Sequence, residues 1–178
     1  MRKLKLHELG RISVKEFKNV PKTPIIVVLD NIRSLHNVGS IFRTSDAFRI
    51  RSIFLCGITA TPPHKEIHKT ALGAEESVEW HYFNKTTDAV KKLRKEGYFL
   101  VGIEQTDESI NLPAFETDTE KKYAVIFGNE VKGVDQQVID ECDMCLEIPQ
   151  FGTKHSFNVS VSAGIVLWEL AGKRLISQ

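Results

Sequence analysis

Along the chain, short continuous apolar runs alternate with segments in which apolar residues recur at every third or fourth position. PIIVVLD (24–30) is such a run, the pattern of a strand buried on both faces as in parallel sheets. NVGSIFRTSDAF (37–48) sets Val38, Ile41, Phe42 and Phe48 on one helical stripe, with Asn37, Ser40, Arg43 and Thr44 on the other side. RSIFLCG (51–57) predicts the next strand, and 58–77 a loop broken by Pro62 and Pro63, with a short helix over 64–71. VEWHYF (78–83) is a short strand and TTDAVKKLRKEG (86–97) a helix with a threonine cap and a glycine stop. YFLVGIEQ (98–105) predicts a strand, 106–121 a polar connection, and KYAVIFGNE (122–130) a strand running into glycine. DQQVIDEC (135–142) is a short helix, MCLEIP (144–149) a strand, and NVSVSAGIVLWELAGKRL (158–175) a long final helix.

This alternation predicts an α/β fold: a mostly parallel sheet with helices on both faces. Ligands bind such sheets beyond the C-terminal ends of the strands. Three stretches fall there: 30–44, 127–135 and 148–160.

Composition changes the picture little. The 178 residues are 42% hydrophobic and 26% charged, as in a globular chain with one domain. No apolar run approaches the roughly 20 residues that span a bilayer. The first residues lack the apolar stretch of a signal peptide, and a cytoplasmic protein is expected. Charge distribution says more. Residues 1–22 hold seven Lys/Arg against Glu8 and Glu16, a basic arm of +5. The remaining 17 basic and 21 acidic residues leave 23–178, read as a single domain, at −4. Such an arm suits a polyanion, or packs on the body or a sister subunit; Leu4, Leu6, Leu9 and Ile12 suggest that part of it packs as a helix.

Several chemistries are disfavoured. Cys56, Cys142 and Cys145 are too few for a disulfide framework, and CDMC (142–145) has no second pair to complete a zinc site. These thiols read as buried and structural. HKEIH (64–68) places His64 and His68 one turn apart but is not HExxH; contact with RNA suits it at least as well as zinc, and no metal is expected. The dinucleotide fingerprint, the P-loop and the serine-hydrolase elbow are missing.

In the three stretches, Gly39 allows close backbone approach, and Gly128 and Gly133 bracket Glu130 in a tight loop or a plain turn. Ser156 or Asn158 can cap the final helix. Val161, Ile165 and Trp168 make an apolar stripe on it, and Ser160, Ser162, Ala163 and Gly164 permit close contact with a helix, ligand or subunit. Taken together, NVGSIFRTSDAF, VIFGNEVKGV and IPQFGTKHSFNVSVSAG resemble, in order and spacing, the three signature motifs of the SpoU/TrmH family of SPOUT-class RNA 2′-O-ribose methyltransferases. The resemblance covers about residues 20–175.

The resemblance implies a C-terminal trefoil knot that holds S-adenosylmethionine, converted to S-adenosylhomocysteine. It implies a homodimer with its site near the subunit interface, and a tRNA substrate ahead of rRNA. It assigns catalysis to Arg43, as base or as electrostatic and positioning group, with Asn37 positioning it. Glu130 would hold Arg43 or the knot loops, and Ser156 and Asn158 would lie near cofactor and nucleotide. Gly128, Ile148 and Phe157 would hold the adenosyl group, together with Ser156, Asn158 and, by a weaker match, Gln105. Phe157 stands where leucine is usual and Gln150 where methionine is common. The basic arm, with TPPHKEIHK, becomes the candidate for phosphate contacts. Two alternatives remain: an RNA-binding module of the same fold without methyl transfer, and an unrelated α/β enzyme with an ordinary open sheet.

Overall fold

Strand β1 (Thr23–Asp30) is the spine of the molecule: from Ile25 to Asp30 no residue is more than 3% exposed. A computed structural model describes residues 1–176, apart from the side chains of Leu6, Lys173 and Arg174. Six further strands join β1: β2 (Ile50–Cys56), β3 (Glu79–Phe83), β4 (Tyr98–Ile103), β5 (Ile110–Asn111), β6 (Lys122–Phe127) and β7 (Met144–Glu147). Among the described residues they form one sheet in the order β3-β2-β1-β6-β4-β7-β5, every pairing parallel. Val27 lies between Ile53 and Val125 at its centre.

Alternate residues of β1 face opposite cores, as the two-residue strand period requires. Ile25, Val27 and Leu29 pack beneath helices α2 (Leu35–Ala47), α3 (Lys65–Ala71), α4 (Ala74–Ser77) and α7 (Val159–Leu167). Ile26 and Val28 pack beneath α5 (Thr86–Lys95) and α6 (Gln136–Ile139). The expected α/β fold with helices on both faces is observed.

Four details differ from the pattern. Thr86 is not a cap: the residue before α5 is Lys85, without a side-chain cap bond, and Thr86 Oγ1 donates to the buried Asp30 carboxylate at 2.5 Å. The 106–121 connection contains β5 and buries Leu112. The arm is not an amphipathic helix. It holds one 3₁₀ turn and α1 (Val14–Asn19); Phe17 enters the core, whereas Leu4, Leu9 and Ile12 are exposed. The side chain of Leu6 lies outside the described residues, as do residues 177–178 of the expected domain. Finally, the final helix passes from α7 through a π-helical turn (Trp168–Gly172) into α8 (Lys173–Ile176), and it buries Val159, Ala163, Val166, Leu167 and Leu170. Ile165 is largely buried, whereas Val161 and Trp168 stay about half exposed, Trp168 with its ring edge-on to Phe48.

Gly39 fixes how α2 meets α3. A Cβ there would lie 2.1 Å from Thr70 Oγ1 and 2.3 Å from the Ile67 carbonyl. Gly39→Ala raises helix propensity but overpacks this contact. It should destabilise the chain by about 1–3 kcal/mol, read as a lower urea midpoint at unchanged slope.

Candidate active site

The C-terminal ends of β1, β4, β6 and β7 sit side by side, and four loops leave them together. Asp30 ends β1 as a buried carboxylate, accepting from Asn31 Nδ2 (2.8 Å) and the Asp135 N–H (2.9 Å) as well as Thr86. It thereby ties the β6 loop to β1. Beyond β6, Gly128 abuts Gly133 so closely that a Cβ would lie 2.1 Å from the Gly133 carbonyl carbon. Asn129 and Gly133 exchange backbone hydrogen bonds of 2.9 Å, and Asn129 Oδ1 accepts from Val131 and Lys132 N–H inside the loop. Asn129 Nδ2 reaches the Asn31 carbonyl at 2.7 Å. The two glycines therefore serve a tight loop, not a plain turn.

That loop presents Glu130 to the start of α2. Its carboxylate accepts from the backbone N–H groups of Arg33 and Ser34 and from Asn37 Nδ2, each at 3.0 Å. Partial burial pushes this carboxyl up. The N–H groups of Arg33, Ser34 and Glu130 itself, with the Asn37 amide, outweigh it and hold the carboxyl below the usual carboxylate range. An acid at a helix N-terminus also opposes the helix dipole. Asn37 in turn accepts from Asn158 Nδ2 at 3.1 Å. Asn158 caps α7, its Oδ1 accepting from Ser160 N–H (2.9 Å) and Ser160 Oγ (2.6 Å). One side-chain chain, Glu130–Asn37–Asn158, thus links all three stretches.

Beside it lies a cavity of about 520 Å³, a volume suited to a small organic ligand. Gln105, Gly128, Glu130, Ile148, Ser156, Phe157 and Asn158 line it, so every residue expected at a cofactor is at its wall. Gln105 Nε2 braces the wall by donating to the His155 carbonyl at 3.1 Å. Asn37 is buried, not on a solvent face, and meets the cavity only through Glu130 and Asn158. Arg43 is exposed and does not line it. Six residues beyond Asn37, it lies about 9 Å along α2 and a third of a turn round. Of the two roles expected for Glu130, holding Arg43 or holding loops, no bond to Arg43 is seen among the described residues; Glu130 joins the 129–133 loop to the start of α2, and Asn37 is committed to the same network.

Sequence reasoning missed Asp30, Glu104 and Asn129. Glu104 Oε2 accepts from Val134 N–H at 2.9 Å and fixes the β6 loop from β4. The turn-forming habit of Asn after Gly was a usable signal for Asn129; Glu104 carried none. His64 caps α3 and His68 pairs with Glu75, so the two histidines are separately engaged. The thiols of Cys56, Cys142 and Cys145 are free, with burial pushing Cys56 and Cys142 up to about 12.

The description of the SpoU rRNA Methylase family matches residues 24–168. The 23S rRNA (guanosine-2′-O-)-methyltransferase RlmB of Neisseria meningitidis is 31% identical over 89% of this chain and 62% of its own length. The tRNA (guanosine(18)-2′-O)-methyltransferase of Aquifex aeolicus is 30% identical over 84% of this chain and 70% of its own. The AdoMet-bound rRNA methyltransferase from Sinorhizobium meliloti superposes with a TM-score of 0.80 at 26% identity, over 89% of this chain and 60% of that one. The chain therefore spans less than two thirds of the length of the RlmB relative. With a family match across most of its length and the three matching stretches joined in one site, the chain belongs to the SpoU rRNA methylase family.

Proposed function

We propose that the chain is an S-adenosylmethionine-dependent RNA ribose 2′-O-methyltransferase, acting on tRNA ahead of rRNA and releasing S-adenosylhomocysteine. The observation that carries this is the Glu130–Asn37–Asn158 network at the wall of a ligand-sized cavity. Relatives that methylate guanosine ribose in 23S rRNA and in tRNA support it.

The cavity suits the cofactor chemically. Ile103, Phe127, Leu146 and Ile148 offer apolar surface to an adenosyl group, and Glu104 and Glu147 offer carboxylates to the ammonium of the methionyl end. When bound, S-adenosylmethionine supplies a methyl group on an electrophilic sulfonium. The chain's part is to hold the 2′-hydroxyl in line and to ease loss of its proton. Glu130 is a poor base, because its lone pairs are spent on N–H donors. Arginine is likewise a weak proton acceptor, but its planar fork can clamp a phosphate and stabilise developing alkoxide charge. That is the role assigned to Arg43.

Because Arg43 lies off its own chain's cavity, it serves the cavity of a second copy. The half-exposed Val161 and Trp168, with open space beside Gly164, on the helix that packs against α2, support a homodimer through this face. We extend the family resemblance to the trefoil knot, supported by the strand order and by the tie of segment 148–158 to Gln105. The 1–22 arm joins β1 at the end of the sheet opposite its own chain's cavity, and it carries the proposed phosphate contacts. No helix among the described residues is long and apolar enough to cross a membrane.

The deciding experiment pairs calorimetry with methyl transfer. The chain should bind S-adenosylmethionine near the micromolar range, about −8 kcal/mol, and label RNA from cells lacking it at one ribose. Cofactor binding without any labelled RNA would favour the module that has lost catalysis. Arg43→Lys should cut turnover by about 10²-fold or more while cofactor affinity holds, since only the fork is lost. Arg43→Ala and Asn158→Ala subunits, each inactive alone, should recover activity when mixed, which a site within one chain cannot do. Glu130→Gln replaces an acceptor with a partial donor facing N–H groups. It should cost about 1 kcal/mol at neutral pH, the exposed carboxylate being partly screened. The carboxyl is depressed in the folded chain, so its contribution is present above the ordinary carboxylate range. Urea titrations should show the difference from wild type closing as pH falls through the depressed value.

A further inference from the structure

Segment 148–158 closes the cavity, yet its Phe151 is 98% exposed. The loop is not slack around it: Gln105 Nε2 (3.1 Å) and Gln150 Nε2 (3.4 Å) both donate to the His155 carbonyl. An aromatic ring held wholly in water on a braced loop forgoes all the burial such a side chain normally gains. Val131, on the 129–133 loop beside the cavity, is 76% exposed as well. Each apolar group has a cation close to it in the chain, Lys132 and Lys154. Among the described residues neither lysine forms an ion pair, whereas Lys69, Lys92 and Lys121 each face a carboxylate. Glu104 and Glu147 line the cavity itself and keep a polyanion to its rim. An exposed aromatic side chain with an unpaired cation three residues on in the chain, beside a cavity that Lys132 lines, is the chemistry of contact with an unstacked nucleotide: the ring takes a base, the cations take phosphates.

We propose that Phe151 is a base-stacking residue of the RNA site, with Lys154 and Lys132 on the flanking phosphates. This rests on the cavity being a ribose-methylating site, since a ribose presented there leaves its base at the rim. The substrate class follows. A base stacked on both sides within a duplex has no free face for Phe151, so the enzyme takes an unpaired, unstacked nucleotide.

The test uses the full chain and an unstructured RNA of about ten nucleotides carrying one 2-aminopurine, whose fluorescence reports stacking. Wild type should change that fluorescence on binding, and Phe151→Ala should abolish the change and weaken binding about tenfold. Phe151→Trp should restore both. Lys154→Ala should lower the slope of log affinity against log salt by about 0.7. Cofactor affinity and sedimentation should be the same in all Phe151 variants. The proposal is overturned if wild type gives no fluorescence change or if Phe151→Ala binds RNA like wild type. It is also overturned if Phe151→Ala breaks the assembly, which would make Phe151 a contact between copies. A wild-type chain that binds this RNA through Phe151 but binds no S-adenosylmethionine would overturn the methyltransferase reading and leave the stacking role standing.

Discussion

Everything at the site depends on a carboxylate that accepts and never donates. Glu130 lies 93 residues from Asn37 in the chain, and Asn37 lies 121 from Asn158, yet the three are one hydrogen-bonded unit. The direction of each bond is forced. Two backbone N–H groups point at Glu130, so only an ionised acceptor satisfies them. Asn37 must then offer its NH₂ to Glu130, which leaves its oxygen for Asn158. Asn158 has spent its own oxygen on capping α7 and has only NH₂ to give. A proton on Glu130 would set an O–H donor against one of these N–H groups and weaken the network at that end.

The sheet makes that unit possible. Parallel strands bring all their C-terminal ends to one edge, and side-by-side placement of β1, β6, β4 and β7 gathers loops distant in sequence. The same geometry separates the basic arm from the cavity. β1 has eight residues, so the arm enters about 23 Å from the loops at its far end. A ligand touching both would have to span that distance, which a mononucleotide does not and a folded RNA does. The uneven charge of the chain, a +5 arm on a −4 body, therefore concentrates its positive charge at the end of the sheet away from its own cavity.

The fold was largely legible because its strands are pure apolar runs and its helices keep a clean period. Val38, Ile41 and Phe42 are fully buried as their stripe requires. Failures occurred where tertiary contacts override local habit. Thr86 looked like a cap, but a hydroxyl beside a buried Asp30 serves the carboxylate first. Leu4, Leu9 and Ile12 looked like a packed face, but only Phe17 finds the core. Val161, Ile165 and Trp168 make an apolar stripe, yet a stripe does not say which of two apolar faces meets the sheet, and Val161 and Trp168 stay half exposed. The cavity wall was legible through the three motifs. Glu104 and Asp30 were not, because a carboxylate at a strand end has no spacing signature; its role exists only once distant N–H groups arrive.

What the single chain lacks also follows from its packing. On α2, the side chain nearest the network is buried and committed, while Arg43 is free in solvent. The helix that packs on α2 exposes apolar side chains on the same molecule. A rigid helix cannot turn Arg43 toward its own cavity without pulling Val38, Ile41 and Phe42 out of the core and breaking the Asn37 bonds. The cost of that rotation would be comparable to the whole stability of an ordinary domain, since burial of each such side chain contributes about 1.5–3 kcal/mol. The arginine's position is therefore fixed by the same residues that fix the network. In the proposed homodimer a second cavity would come to Arg43, docking over the half-exposed Val161 and Trp168.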